Sequence, residues 1–287
     1  MTARPATRTL FAATGTALAA LALAACGSGS SDTGAAASEE STSLSHVHGL
    51  GVDPADERVY VATHNGLHTV AKGQKPKLVG DRKDDFMGFT VTGDSAFVAS
   101  GHGAPGSDRP GNVGLIETKD AGTTWTSRSL SGEADFHSLD SAKGVVYGYE
   151  GGRIRVSSDL KSWDDRATLE AFDLAVSPNG DTLLATTAEG VVTSTDGGRS
   201  FAKGAGPVQA FLSWPTEKSL FGIGPSGKLS RSEDGGKTWK QLTAVPGGQP
   251  QALTAVNADH VLAATQTGVY ESRDGGKTFT ELAPLAS

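Results

Sequence analysis

Cysteine is nearly missing from this sequence: one occurs in 287 residues, Cys26. A disulfide framework is therefore excluded, because that thiol has no partner within the chain. Aromatic residues are sparse at 6%, and methionine occurs twice. Basic residues fall short of acidic ones, 25 against 32, for a net charge of −7. That deficit speaks against a nucleic-acid partner gripped by a basic face. No Ser nucleophile elbow, Walker loop or Cys-x-x-Cys pair is present. Glycine is plentiful instead: 38 residues, about 13% against a usual ~7%, mark many tight turns. With 37% hydrophobic residues the chain has enough apolar mass for a packed core, which excludes disorder throughout.

The N-terminus reads as an address. Arg4 and Arg8 precede an Ala/Leu-rich run from Leu10 to Ala25, too short for a comfortable membrane span and ending in small residues. Residues 1–25 are expected to be a signal peptide. Leu23-Ala24-Ala25-Cys26 resembles the bacterial lipobox, which implies cleavage before Cys26 and acylation of its thiol. More than one acyl chain gives durable anchoring. The expected address is thus the outer side of the cell membrane. Removal of the signal leaves 23 Lys+Arg against 32 Asp+Glu. Residues 26–45 have almost no apolar bulk and read as a disordered tether, with a span of roughly 25 Å and a taut reach of ~65 Å. The working domain is placed at 46–287.

That domain repeats. Ser194-Thr-Asp196-Gly-Gly-Arg-Ser-Phe201, Ser232-Glu-Asp234-Gly-Gly-Lys-Thr-Trp239 and Ser272-Arg-Asp274-Gly-Gly-Lys-Thr-Phe279 are near-copies. Looser ones end at Trp125, around Asp120, and at Trp163, around Asp159. The Asp-to-Asp spacings are 39, 37, 38 and 40. The motif resembles the Asp-box, or bacterial neuraminidase repeat, of the sialidase superfamily. Asp and Ser are expected to bond nearby backbone N–H groups, glycine to take positive φ, and the aromatic residue to pack inward. Five near-identical aspartates cannot share one active site, so their role is structural. Short alternating or β-branched runs recur around each box, starting at His48, Met87, His137, Phe172, Ala210 and Gln251. The expectation is an all-β, six-bladed propeller of four-stranded antiparallel blades, with no strand shared between the termini.

In Asp-box propellers the inner strands begin on one face, near the channel, and the loop between second and third strands emerges there too. The resemblance thus gathers those six positions into a ring. Two residues earlier stand His46, Asp85, Asp135, Glu170, Val208 and Gln249, on the same side of each strand. His64 and His102 come from the second-to-third-strand loops. His46, His48, Met87, His137, His64 and His102 are the candidate metal ligands; His with Met suits copper, His with carboxylate suits zinc or Cu(II). Asp85 and Asp135 are expected to orient imidazoles from outside the ligand shell. The top face would otherwise take a small ligand or a protein.

The sialidase resemblance also implies an Arg triad, an Arg-Ile-Pro motif and a Tyr–Glu pair. Gly152-Arg-Ile-Arg155 lacks the proline, and only Arg82 and Arg109 are expected to reach the site face. Sialidase activity is therefore not expected. A different glycoside hydrolase would use paired carboxylates from Asp85, Asp135 and Glu170. Non-catalytic binding is preferred, and the fold does not decide between them.

Overall fold

The computed structural model describes residues 44–203 and 206–286. The expected signal segment, Cys26 and most of the tether lie outside the described residues. Turn residues cut the β-branched runs into 24 strands, and no helix occurs among the described residues. Each four consecutive strands make one antiparallel sheet, six in all. Blade 1 holds β1 (Val47–Val52), β2 (Val59–Thr63), β3 (Gly66–Val70) and β4 (Lys77–Leu78). Blade 2 holds β5 (Asp85–Gly93), β6 (Ala96–His102), β7 (Leu115–Thr118) and β8 (Thr126–Ser129). Blade 3 holds β9 (Ser138–Ala142), β10 (Val145–Glu150), β11 (Arg153–Ser157) and β12 (Asp164–Thr168). Blade 4 holds β13 (Leu174–Val176), β14 (Leu183–Thr187), β15 (Gly190–Ser194) and β16 (Ala202–Lys203). Blade 5 holds β17 (Phe211–Thr216), β18 (Ser219–Ile223), β19 (Lys228–Ser232) and β20 (Lys240–Ala244). Blade 6 holds β21 (Pro250–Ala255), β22 (Val261–Thr265), β23 (Gly268–Ser272) and β24 (Thr280–Pro284).

The innermost strands β1, β5, β9, β13, β17 and β21 pack in a closed ring around a channel of about 370 Å³. The core is divided among the blade interfaces, one apolar cluster to each of the six. Strands β2, β14, β18 and β22 are buried along their whole length, because a neighbouring blade covers either face of them. A run apolar on both faces suits that position. Side chains also reach across interfaces to backbone amides. Ser100 Oγ accepts from Phe136 N at 2.9 Å, Ser138 Oγ from Leu174 N at 3.1 Å, and Ser213 Oγ from Ala255 N at 2.8 Å.

The repeated turns follow their local chemistry. Ser232 Oγ donates to Asp234 Oδ1 at 2.8 Å and accepts from Gly236 N at 2.8 Å, while Thr238 gives Asp234 both its N–H and its hydroxyl. Asp196 and Asp274 repeat the pattern, and Asp120 does so with Thr118 in place of Ser. These bonds hold the Asp234 carboxyl down at about 2. The aromatic residues Trp125, Trp163, Phe201, Trp239 and Phe279 directly precede the fourth strands and are half-buried. Trp239 Nε1 donates to Gly236 O at 2.9 Å. In the degenerate turn before Trp163 that bond is lost, and its Nε1 turns to Ser129 Oγ of blade 2 instead.

Among the described residues neither terminus lends a strand to the other's blade, yet the fold takes in two residues assigned to the tether by sequence. Leu44 is fully buried against blade 6 and bridges Leu285, and its carbonyl accepts from Ala286 N at 2.8 Å. Leu44 is the first large side chain after a run of small and polar ones, which is why the boundary falls there. Gln251 Oε1 adds a bond to Val47 N at 2.9 Å across the same interface.

Candidate functional site

The channel mouth at the starts of the inner strands gathers charge from three blades. At His48 a bulge interrupts the β1–β2 register, and equivalent bulges fall at Met87 in β5 and Gln251 in β21. A bulge re-aims the side chain it carries. His48 thereby meets His64, which sits on the β2–β3 turn held by Thr63 Oγ1 donating to Gly66 O at 2.9 Å. Asp85 opens β5 directly opposite His102, which ends β6. Gly101 is required between them: its φ is +144°, and a Cβ there would strike the Asp85 carbonyl.

Two groups of donor atoms result. In the first, His48 Nε2 lies 3.3 Å from His64 Nδ1 and 3.8 Å from Asp85 Oδ1, while His64 Nδ1 lies 2.9 Å from the same oxygen. One ligating atom from each of these residues falls within 4.8 Å of the others. His46 adds a ring centred 4.8 Å from that of His48 and 5.6 Å from that of His64. In the second, Asp135 Oδ2 lies 2.8 Å from His137 Nε2 and 3.2 Å from His102 Nε2. Asp85 Oδ1 and Asp135 Oδ1 are buried with no aligned hydrogen-bond donor. Asp85 Oδ1 is within ion-pair reach of His64, but the angle is poor for a hydrogen bond, leaving its lone pairs open to a cation.

The electrostatics favour neutral imidazoles at His48 and His46. Burial, then the neighbouring His64 and His46, pushes His48 down to about 4. Burial and His64 lower His46 as well. His137 moves the other way, raised by its hydrogen bond to Asp135. Tetrahedral zinc bound at 2.0–2.1 Å has donor-to-donor edges of about 3.3 Å. The 3.3, 2.9 and 3.8 Å separations of the first group bracket that value.

The sequence-derived candidates separate here. His46, His48, His64, His102, His137, Asp85 and Asp135 converge. Asp85 stands among the donor atoms themselves rather than behind the imidazoles, because the turn at His64 approaches it directly. Asp135 Oδ2 instead accepts a hydrogen bond from His137 Nε2 at 2.8 Å, as a carboxylate that orients an imidazole does. Met87 occupies the β5 bulge, and the donors described above are all nitrogen or oxygen. Glu170 is exposed and lies against the Gly152 turn of blade 3. Arg82 and Arg109 are spoken for by Asp84, which sequence reading passed over. Arg109 Nε reaches Asp84 Oδ1 at 2.7 Å and Arg82 Nε reaches Oδ2 at 2.7 Å. Adjacent acids on a strand face opposite ways, and only packing tells which one is buried. His68 and His260 are both buried elsewhere, His68 on Gly66 O and His260 on Glu271.

No family model matches the chain, and no curated protein matches it. Solved structures do match at low identity. YCF48 bound to D1 peptide superimposes with a TM-score of 0.51 at 17% identity, covering 83% of this chain and 82% of that one. The Niastella koreensis GH74 enzyme gives 0.51 at 16%, over 83% of this chain but 38% of its own. The WD40 β-propeller domain of Doa1 gives 0.58 at 11%, over 85% and 84%. Likeness at these identities extends to architecture alone: the chain is a six-bladed β-propeller.

Proposed function

We propose that this protein is a lipid-anchored, extracytoplasmic Asp-box propeller that acts as a binding module and holds a transition metal, copper or zinc, at its channel mouth. Leu23-Ala24-Ala25-Cys26 supports the anchor, and the Ser–Asp turns support the Asp-box assignment. The observation that carries the metal reading is the meeting of His48 Nε2, His64 Nδ1 and Asp85 Oδ1 within 4.8 Å. Imidazole with carboxylate suits zinc or Cu(II). That a YCF48 structure is bound to a peptide supports the same fold serving as a binding module. Titration calorimetry of the full chain in mild detergent tests the metal reading. Zn(II) or Cu(II) should show saturable uptake at neutral pH, weakened at least tenfold in His48→Ala/His64→Ala with unchanged circular dichroism. Absence of saturable uptake of either ion would overturn it.

A further inference from the structure

Three of the repeated turns end in tryptophan: Trp125, Trp163 and Trp239. In blades 2 and 3 a buried phenylalanine packs on that indole, Phe86 with its ring centroid 5.3 Å from that of Trp125 and Phe136 at 4.6 Å from Trp163. Each phenylalanine stands three residues before a buried apolar residue of the inner strand, Phe89 or Leu139. The same place in blade 5, three residues before Leu212, holds Gln209. Gln209 is 2% exposed, and a cleft of about 680 Å³ opens beside it. We propose that this cleft binds a sugar acid, a saccharide ring bearing a carboxylate, with Gln209 as its buried anchor.

The direction of the amide follows from its neighbours. Gln209 Nε2 donates to Ser230 Oγ at 2.7 Å, and Ser230 donates its own proton to Gly222 O at 3.3 Å. Oε1 is left facing Gly224 on the cleft wall, buried and without a donor. An apolar side chain avoids the cost of that orphaned acceptor, as phenylalanine does in the other two blades. A rule of the repeat broken at one blade, at a loss in stability, is the mark of a functional position. A ligand hydroxyl supplies the missing donor. Trp239, Pro207 and Pro225 give the cleft apolar walls for the C–H face of a sugar ring. Lys228 and Lys237, both exposed, line it as well and meet the carboxylate. The volume lies within the roughly 300–1,000 Å³ of small-molecule sites. Among the described residues none of the mouth histidines lines this cleft, so it stands apart from the metal reading.

Titration calorimetry of the full chain in mild detergent tests the assignment, with a glucuronic-acid-containing disaccharide and with cellobiose as its uncharged counterpart. The acidic disaccharide should bind saturably, roughly tenfold or more tightly than cellobiose. Gln209→Phe restores the residue of blades 2 and 3. Gly222 beside it lacks a Cβ, as Gly148 does beside Phe136, so the ring has room. That variant should keep its circular dichroism and weaken binding roughly tenfold or more. Lys228→Ala/Lys237→Ala alters exposed side chains alone, and should bring the acidic disaccharide down to the level of cellobiose. Equal affinity for the two saccharides in the unaltered chain, or undiminished affinity in the lysine variant, overturns the sugar-acid class. Absence of saturable binding, or unchanged binding in Gln209→Phe, overturns the site.

Discussion

Asp140 and Asp173 line the channel below the histidines, near enough for Asp173 to raise the proton affinity of Asp140. Their side chains meet only the narrow lumen, so surface area leaves them half-buried although protein surrounds them. Asp140 Oδ2 accepts from Val176 N at 2.8 Å, and Asp173 Oδ2 accepts from Leu212 N at 2.8 Å, each clasping the next blade. Burial pushes Asp140 up to about 7, with Asp173 adding to it, and burial pushes Asp173 up to about 6. Both values exceed the 3.8 of an unfolded chain. The folded state therefore binds more protons in this range, so the stabilisation is complete below about pH 4 and is lost as pH rises through 6 to 7. Thermal unfolding between pH 5 and 8 should show a midpoint that falls with pH, and Asp140→Asn should flatten that slope. An unchanged slope in the variant would mean that Asp140 is ionised throughout. Sequence reading did not single out either residue: an Asp in a strand looks the same whether it faces solvent or a lumen.

The turns between third and fourth strands were the most legible elements, because their geometry is local. Ser, Asp and Thr close the same ring of hydrogen bonds wherever they stand at that spacing. Glycine's role there is twofold, and the two parts separate by mutation. Gly276 has φ +83°, and a Cβ on it would collide with Leu229 Cδ2 of blade 5. Gly73 has a similar φ of +74° but open space around it. Gly73→Ala should cost about 1 kcal/mol through backbone strain alone. Gly276→Ala should cost about 2–4 kcal/mol, since overpacking adds to that strain. Equal losses in urea melts would show that the blade interface yields freely. The degenerate copies show the same geometry under strain, with Ala121 at φ +56° and Leu160 at +60° where the strict copies have glycine. Bulges were the elements that could not be read. His48, Met87 and Gln251 each occupy one, yet their flanking sequences share no obvious signal.

At the scale of the whole molecule, each blade buries its apolar faces only against its neighbours, so the ring stands or opens as a unit. Leu44 belongs to the interface where blade 6 meets blade 1. Leu44→Ala should destabilise the protein by about 2–4 kcal/mol, as for a large-to-small change in a core. Unfolding should remain a single transition in both forms, which calorimetry would check; a separate early transition in the variant would show that blade 1 opens alone. The sequence by itself determined the number of blades, the turn chemistry and the histidines that gather at the mouth, since repeat spacing and strand alternation are local and periodic. Tertiary structure alone decided how that mouth is wired. It set Asp85 among the donor atoms, gave both arginines to Asp84, held Glu170 apart and drew Leu44 into the core. Those outcomes depend on bulges and on the few ångströms between neighbouring blades, which packing sets and spacing along the chain does not encode.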